Sequence, residues 1–425
     1  MSKVIKVGFL GFGNVGYGVW KLLENFKNDI LHRDNVQFEV VRILVRDVNK
    51  IRHGEFPNSL LTDNPNEVIS NPDIDIIMEF MGGENPAFEY LKAALENKKT
   101  VITANKVTFA LHWPELQNAA QKNGVGLYYE AAVCGAIPII HTIETSLQAN
   151  KIDYLYGIVN GTTNYILTRM CKEKSPYSVI LKDAQKLGLA EPNPAADVEG
   201  LDAAYKLSIL ASLAFHGRIP FENVYVEGIT QISEEDINCA EKLGYTIKLL
   251  AIAKRNGLKV ETRVHPTLIK TTHPLANVSG SFNAVYLNGH ACGEMMFMGH
   301  GAGDLPTASA LVSDLIRAST TAHAYPTFDN STHPKIPLEK CDDWQSLFYI
   351  RLKVKDQPGI LSKVAGTFSN EGVSIQAMQQ YEHGDTTTMV TMVIITHLAS
   401  ENAIQQAVKK MNKDYASVET LLRVE

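Results

Sequence analysis

The chain is poor in cysteine and has no long hydrophobic segment. Its five cysteines are odd in number, far apart and without metal-ligand spacing, which predicts reduced thiols rather than a disulfide framework. No apolar run reaches the roughly 18 to 20 residues that a membrane span requires. The first residues, MSKVIKVGFLGFG, lack a cleavable signal pattern. These absences predict a cytoplasmic protein that does not enter a membrane.

Positive charge is also scarce. Lys and Arg together number 40 against 46 Asp and Glu, the net charge is -6, and no block of basic residues stands out. A surface of this kind does not attract nucleic acid or an anionic membrane, so neither is an expected partner. With 425 residues, 45% of them hydrophobic, the chain is long enough to bury two or three cores.

The N-terminal third alternates short apolar strands with helices. The helices predicted at 86–97 and 114–122 each open with a proline, which suits the first helical turn. The strands are predicted at 4–10, 38–45, 74–81, 100–103 and 125–129. Alternation of this kind predicts a doubly wound parallel sheet of the Rossmann type over residues 1–134.

The remainder of the chain is organised differently. Strands predicted at 152–159, at 258–265 and around Asn288-Gly289 alternate with blocks of helices, which indicates an α+β domain over residues 135–320 whose end packs back on the first domain. Residues 321–345 have three prolines and no periodicity, so they are predicted to be a linker. Residues 346–425 follow a βαββαβ plan with its central strands around His383-Gly384-Asp385.

A glycine-rich segment joins the first strand to the first helix. In this position, the glycines of Gly11-Phe12-Gly13-Asn14-Val15-Gly16 allow a tight turn, a close approach to a pyrophosphate and close packing of the helix on the strand. The phosphates would lie at the positive end of the helix. The segment therefore predicts a dinucleotide-binding site.

The residues at the end of the second strand indicate whether NAD or NADP is bound. A carboxylate there would accept a hydrogen bond from the ribose 2′-hydroxyl of NAD, whereas Arg46 can hold the 2′-phosphate of NADP. This favours NADP. The adjacent Asp47 could instead bind the ribose of NAD, so NAD is the alternative cofactor. Arg46 could also be a solvated cation in a loop without a role in binding.

Charged residues occur on a helix that is otherwise apolar. On the helix predicted from Gly200 to Phe215, Asp202 and Lys206 are four residues apart and so lie on one face. A helix that is apolar nearly all round is buried, and a buried ammonium group must be paired. The alternative is an ordinary exposed ion pair between these two residues.

A second lysine, Lys106, follows the fourth strand, at the edge of the sheet where open α/β folds bind ligands. Two lysines and several carboxylates beside a nicotinamide suit the reduction of a carbonyl group, in which an ammonium supplies the proton and further charges hold a zwitterionic substrate.

Motifs along the whole chain resemble those of homoserine dehydrogenases. The segments are Gly11 to Gly16, Gly82-Gly83, Ala104-Asn105-Lys106, Glu130 to Pro138, Asn160 to Asn164, Gly188 to Lys206 and Gly301-Ala302-Gly303. The resemblance implies reversible NAD(P)H-dependent reduction of L-aspartate 4-semialdehyde to L-homoserine in threonine and methionine biosynthesis. Two residues depart from the pattern: Leu189 stands where many relatives have tyrosine, and His300 where proline is common.

The resemblance also implies roles for individual residues. Lys206 would donate the proton to the aldehyde oxygen, with Lys106 assisting between cofactor and substrate. Glu191 and Asp202 would bind the amino and hydroxyl ends of homoserine, and Asp197 would support the lysines. Further positions implied to contact substrate or cofactor are Gly161 and Thr162 for the substrate, and Gly83, Gly188 and Gly303 for the cofactor.

A monovalent cation, sodium, is implied by the same resemblance. Its ligands would be Glu130 and carbonyl oxygens of Val133, Gly135 and Ile137. Oxygen ligands suit a hard cation. Without the resemblance, Glu130 would be interpreted as a carboxylate at a strand end.

Residues 356–375 resemble the start of an ACT domain, a unit that pairs between chains and binds small amino acids at the interface. The resemblance implies a homodimer or homotetramer, with L-threonine as a feedback inhibitor near Gly359 and Val373. A domain that only dimerises is the alternative. Deletion of residues 346–425 is expected to leave catalysis intact.

Two rival functions remain open. An acylating semialdehyde dehydrogenase would use Cys134 as its nucleophile. A non-enzymatic sensor of nucleotides and amino acids could be built from the first and last domains, although the paired charges of the middle domain exceed what a spacer needs.

Overall fold

The computed structural model describes residues 2–52, 54–320, 338–381 and 389–425. The predicted α/β class is confirmed: a parallel sheet is followed by a second, mixed sheet that continues into the C-terminal unit. Among the helices of the described residues, none combines the length and the hydrophobicity of a membrane span.

The N-terminal elements alternate between strand and helix. They are β1 (Lys3–Leu10), α1 (Asn14–Asn25), α2 (Lys27–Asp34), β2 (Val36–Leu44), β3 (Leu61–Thr62), α3 (Asn66–Ile69), β4 (Ile76–Glu79), α4 (Ala87–Glu96), β5 (Thr100–Thr103), α5 (Lys106–Asn123) and β6 (Leu127–Tyr128). The strands pair in parallel in the order β3-β2-β1-β4-β5-β6. The order changes direction at β1, which places the glycine-rich turn at the switch point where such sheets bind ligands.

The predicted start of α5 was wrong. The helix begins at Lys106 rather than at Pro114, because the Asn105 side chain accepts a hydrogen bond from the Thr108 N–H at 3.1 Å and caps it. The chain is kinked at His112, before the proline. Lys106 therefore stands in the first turn of a helix.

The middle elements form one wing of the second sheet and the helices that cover it. They are α6 (Ile139–His141), β7 (Ile152–Ile158), α7 (Gly161–Glu173), α8 (Tyr177–Lys186), α9 (Ala195–Val198), α10 (Leu201–Phe215), β8 (Tyr225–Val226), α11 (Glu234–Lys242), β9 (Tyr245–Asn256), β10 (Lys259–Lys270), β11 (Phe282–Gly289), β12 (Gly293–His300) and α12 (Asp304–Thr320). The sequence prediction missed β9. It also placed a turn at Asn288-Gly289, which lies within β11; the hairpin turns at residues 290–292.

The C-terminal elements extend the same sheet. They are β13 (Glu339–Lys340), β14 (Gln345–Lys355), α13 (Ile360–Asn370), β15 (Ile375–Tyr381), β16 (Met389–Thr396), β17 (Ala399–Ser400), α14 (Glu401–Asp414) and β18 (Ala416–Val424). The sheet runs β12-β11-β7-β9-β10-β18-β14-β16-β15. The predicted turn at His383-Gly384-Asp385 and most of the predicted linker lie outside the described residues; the end of that linker forms β13, which pairs with β10.

Helix α12 returns to the N-terminal unit and packs on α1. A Cβ at Gly18 would lie 2.9 Å from the Asp304 carbonyl oxygen and 3.2 Å from the Ala308 Cβ, so the helices can approach this closely because Gly18 has no side chain. Leu311 and Leu315 are buried in the same hydrophobic cluster as Phe9 on β1. This packing brings the loop that precedes α12 to the glycine-rich turn.

Candidate active site

The glycine-rich turn has the geometry of a phosphate-binding loop. Gly11 has a positive φ of 98°, and a Cβ at Gly16 would lie 3.2 Å from the Gly11 carbonyl oxygen. No atom lies within 4 Å of the position that a Gly13 Cβ would occupy, and α1 has no side-chain cap. The open space and the first N–H groups of the helix can receive a pyrophosphate.

A cleft of about 230 Å³ separates this turn from the middle domain. The residues that line it come from both units and include Val15, Gly82, Lys106, Cys134, Lys206 and Gly301. The sequence-predicted lysines thus share one cavity with the start of α1. A nicotinamide ring and a small substrate are the size of ligand that such a cleft accommodates.

One carboxylate joins the two lysines. Lys206 Nζ lies 2.8 Å from Asp202 Oδ2, and Lys106 Nζ lies 2.8 Å from Asp202 Oδ1. Lys206 also donates to the Val159 carbonyl oxygen at 2.7 Å. Asp202 and Lys206 are both buried. The interpretation of this pair as an exposed helix pair is therefore wrong, and the predicted burial of Lys206 is confirmed.

The opposite charges in this cluster favour the ionised forms of Asp202 and Lys106. Burial by itself would raise the pKa of Asp202, but the ammonium groups of Lys206 and Lys106 hold it well below its ordinary value. Asp202 in turn raises the pKa of Lys106, against the effect of burial, and Asp197 and Glu191 act in the same direction. Asp202 is accordingly ionised at neutral pH.

Asn160 connects the acids, a role that the sequence did not suggest. Its Nδ2 donates to Asp197 Oδ1 at 2.7 Å and to Asp202 Oδ2 at 2.8 Å, while its Oδ1 accepts from the Thr163 N–H at 2.8 Å. The same Oδ1 bond caps α7. Its place at the head of the Asn160 to Asn164 motif, directly after a strand, is the signal that could have identified it.

The predicted substrate turn lies at the start of α7. A Cβ at Gly161 would lie 2.8 Å from the Ser281 carbonyl oxygen, so a larger residue would displace the 280–282 loop. Thr162 donates from its hydroxyl to the Leu189 carbonyl oxygen at 2.8 Å, which ties the turn to the loop that carries Glu191. Glu191 itself is exposed, and Asp197 is half-buried.

Among the remaining predicted cofactor residues, Gly83 and Gly303 adjoin residues that line the cleft, whereas Gly188 and Arg46 do not line it. Gly83 accepts hydrogen bonds at its carbonyl oxygen from Asn105 Nδ2 at 2.7 Å and from the Thr108 hydroxyl at 2.9 Å. Gly303 has a φ of 123° and follows Ala302, which lines the cleft. Gly188 and Arg46 are exposed and are not among the lining residues.

Glu79 organises the loops beside the cleft, and the sequence prediction missed it. It is fully buried at the end of β4, where its carboxylate accepts from the N–H groups of Met81 at 2.6 Å and Gly82 at 3.2 Å and from the Thr103 hydroxyl at 2.5 Å. Burial raises its pKa, and these hydrogen bonds oppose the rise. The clue was present: an acid closes the otherwise apolar strand IIME.

Glu130 belongs to a group of buried acids. Its carboxylate oxygens accept from the N–H groups of Ile140 at 2.9 Å and His141 at 2.7 Å. Burial raises the pKa of Glu130 to about 8, of Glu144 to about 7 and of Asp314 to about 6. Such a concentration of acidic oxygens suits a cation. Across the described residues, no cluster of three or more His, Cys, Asp or Glu side chains forms a metal site, so a cation here would also need backbone oxygens.

The loop after Glu130 is tightly turned and carries Cys134. Cys134 and Gly135 have positive φ values of 57° and 49°, and Val133 and Ile137 are buried. Burial raises the pKa of the Cys134 thiol to about 11, although Lys206 opposes the rise. A thiol that stays protonated at neutral pH is a poor nucleophile, so the acylating alternative is not favoured.

Taken together, a phosphate-binding turn at the switch point of a parallel sheet and two lysines on one carboxylate define an NAD(P)-dependent oxidoreductase. Residues 138–316 match the family described as homoserine dehydrogenase, residues 11–130 match its NAD-binding domain, and residues 348–414 match the ACT domain. The chain belongs to the homoserine dehydrogenase family, and its members act on a CH–OH group.

Full-length relatives agree with this assignment. A homoserine dehydrogenase of Bacillus subtilis is 42% identical over 412 residues, which cover 96% of this chain and 95% of the relative. The crystal structure of a homoserine dehydrogenase from Thiobacillus denitrificans superposes with a TM-score of 0.89 at 38% identity, covering 100% of this chain and 99% of that one. The Staphylococcus aureus enzyme at pH 8.5 superposes with a TM-score of 0.79 at 33% identity over 100% of both chains. The resemblance inferred from the motifs is confirmed.

Proposed function

We propose that the protein interconverts L-aspartate 4-semialdehyde and L-homoserine, as a cytoplasmic enzyme of threonine and methionine biosynthesis. The observation that carries the proposal is the buried ammonium of Lys206, held at the cleft by Asp202 and the Val159 carbonyl oxygen. When bound, NAD(P)H supplies the hydride to the aldehyde carbon. Lys206 gives a proton to the carbonyl oxygen as the alcohol forms, and in the reverse direction it takes the proton back.

The acids position the substrate and the lysines. A substrate ammonium suits the carboxylates of Glu191 and Asp202, and Lys106 lies within reach of the same Asp202. Asp197 acts through Asn160, which holds both acids at hydrogen-bond distance. Gly161 and Thr162 shape the wall of the substrate pocket through their contacts with the 280–282 and 187–191 loops.

The cofactor is proposed to be NADP, bound through Gly11, Phe12, Gly13, Asn14, Val15 and Gly16, with further contacts at Gly83, Gly188 and Gly303. Arg46 is exposed at the end of β2, and the Asp47 carboxylate already accepts from the Asn49 N–H at 2.8 Å, which leaves it less available to a ribose hydroxyl. Arg46→Ala is expected to raise the KM for NADPH about tenfold and to leave the KM for NADH unchanged. Equal effects on both would remove Arg46 from cofactor choice.

A sodium ion is proposed at the Glu130 loop, with Glu130 and the carbonyl oxygens of Val133, Gly135 and Ile137 as ligands. The support is that two acids, Glu130 and Asp314, are buried in this region. Asp314 forms an ion pair with Arg317 at 3.2 Å. Replacing NaCl by choline chloride at equal ionic strength is expected to lower Tm and activity. An enzyme indifferent to this exchange would argue against the ion.

The C-terminal unit is proposed to bind an amino acid, L-threonine, between two chains of a homodimer or homotetramer. Gly359, with a φ of 86°, opens α13, and Val373 is buried beyond its end. Titration of threonine into the enzyme with activity and light scattering as readouts tests the effector and the assembly together. Absence of binding would leave the unit a dimerisation module.

The central experiment is NADPH oxidation followed by absorbance with L-aspartate 4-semialdehyde as substrate. Turnover is expected with the wild-type chain, and the reverse reaction is expected with L-homoserine and NADP. A sensor would bind NADPH without turnover. An acylating dehydrogenase would instead reduce NADP as it oxidises the semialdehyde, and only with a phosphate or thiol co-substrate.

A further inference from the structure

The last strand of the chain is joined to the middle domain through the buried guanidinium of Arg423. Arg423, on β18, is fully buried and lies over the ring of Tyr225 at 5.3 Å. Its guanidinium binds Glu401 at 2.5 Å and the Tyr225 hydroxyl at 3.1 Å, and it forms an ion pair with Glu227. Glu401 belongs to α14 of the C-terminal unit, whereas Tyr225 and Glu227 belong to the middle domain.

Glu227 stands directly beside the entrance to α10. The next residue, Gly228, packs so closely on α9 that a Cβ there would lie 2.3 Å from the Val198 carbonyl oxygen. The Ile229 N–H donates to that same oxygen at 2.8 Å. Gly200, with a φ of 87°, caps α10, and a Cβ on it would lie 3.3 Å from the Glu227 carbonyl oxygen. The segment 227–229 and the segment 198–200 are closely packed, so a shift of one displaces the other.

The entrance to α10 carries the proposed chemistry. Asp197 precedes it, Asp202 and Lys206 follow on the first turns of the helix, and Asn160 fixes the two acids relative to each other. Because Asp202 and Lys206 share α10, a small displacement at Gly200 would change the distances from this pair to Lys106 on α5, to Asn160 and to the Val159 carbonyl oxygen. Reactions of this type lose rate when the groups are misplaced by less than an ångström or so.

We propose that Arg423 and Glu227 are positioning residues that set the geometry of Asp202 and Lys206, so that the C-terminal unit is part of the catalytic architecture. The expectation that residues 346–425 can be deleted without loss of catalysis is revised accordingly, because deletion removes Arg423 and leaves Glu227 without this partner. The kinetic part of the proposal rests on the proposed function. It predicts that catalysis is sensitive to this ion pair beyond its effect on stability.

The test compares Glu227→Gln with Arg351→Lys in the full-length protein. Arg351 on β14 is a matched control: it also crosses between the units, through Asp236 at 2.7 Å and Glu235 at 2.8 Å, but these acids lie on α11. Glu227→Gln is expected to lower kcat about tenfold and to shift its pH profile, with the KM for NADP unchanged. Arg351→Lys is expected to lower Tm by a similar amount and to keep kcat within about twofold.

Two outcomes would overturn the proposal: an unchanged kcat in a folded Glu227→Gln, or equal losses of kcat in both variants at equal loss of Tm. Should Glu227→Gln fail to fold, Tyr225→Phe removes the hydroxyl that contacts both Glu227 and Arg423, and an unchanged kcat would count against the proposal in the same way.

Hydrogen exchange of residues 197–206 gives a readout that does not depend on activity. Glu227→Gln is expected to accelerate exchange there, and Arg351→Lys is not. Inactivity of the wild-type enzyme would refute the proposed function alone, whereas unchanged exchange in Glu227→Gln would refute the coupling.

Discussion

Asp202 and Lys206 lie one turn apart on α10, with 2.8 Å between Asp202 Oδ2 and Lys206 Nζ in a buried site. An ammonium group cannot be buried without a partner, and the carboxylate meets this need with one oxygen. Its other oxygen remains for Lys106 on α5. Asp202 thus binds two lysines from different units, and both lysines line the cofactor cleft.

Lys206→Met keeps the apolar stem and removes the ammonium. We expect kcat to fall about 10²- to 10⁴-fold, since general acid catalysis contributes a factor of this size, while the Kd for NADPH stays nearly constant. Stopped-flow kinetics and fluorescence titration of NADPH measure the two. Lys186→Met, which changes an exposed lysine, serves as the control. A comparable loss of cofactor binding would make Lys206 a structural residue.

Glu79→Gln retains the size of the side chain but replaces one acceptor oxygen by a donor. That donor would face the N–H groups of Met81 and Gly82 or the Thr103 hydroxyl, so the loops after β4 and β5 should loosen. We expect about tenfold weaker NADP binding and ~1 to 3 kcal/mol lower stability. Calorimetry of NADP binding checks this, with Glu67→Gln at the exposed ion pair with Arg42 as control. An unaltered affinity for NADP in Glu79→Gln would show that the buried acid does not contribute to cofactor binding.

Cys134→Ser should preserve turnover within about a factor of three, because a thiol with a pKa raised to about 11 is not the nucleophile. Iodoacetamide at pH 8 should label the exposed Cys292 and spare the buried Cys134. Mass spectrometry of the labelled peptides checks the second expectation. A folded serine variant without activity would restore the acylating mechanism.

Lys248 on β9 is buried with neutral partners, the Val278 carbonyl oxygen at 2.6 Å and Asn164 Oδ1 at 3.1 Å, and burial lowers its pKa to about 8. A base with a lowered folded-state pKa binds its proton more weakly when folded, so its contribution to stability is lost as pH falls through about 8 and regained as pH rises toward 10.5. The free energy of unfolding of the wild type, relative to Lys248→Met, should rise by about 2 kcal/mol from pH 7.5 to 9.5. Urea titrations at both pH values measure it, and parallel pH dependences would show that Lys248 does not titrate in this range.

Local patterns predicted much of the fold. The glycine fingerprint after an apolar strand, the alternation of strand and helix and the βαββαβ order each depend on residues close in sequence, and the structure has these elements. The start of α5 was missed because Pro114 was taken for a first helical position, whereas the helix is set by the Asn105 cap nine residues earlier. Strand β9 was missed because KLLAIAK lacks the turn signals that distinguish a buried strand from a helix.

The sequence by itself determined the lysines, the acids and the nucleotide turn, because spacing on one helix and position after a strand are local properties. The tertiary structure decided which oxygen each lysine binds, that Asn160 and Glu79 hold the site together, and that Arg423 reaches Glu227 across 196 positions of the chain. Such contacts depend on how distant segments pack. Strand β18 pairs with β10 because the unpaired backbone groups at a sheet edge form hydrogen bonds with the strand that tertiary packing places beside them.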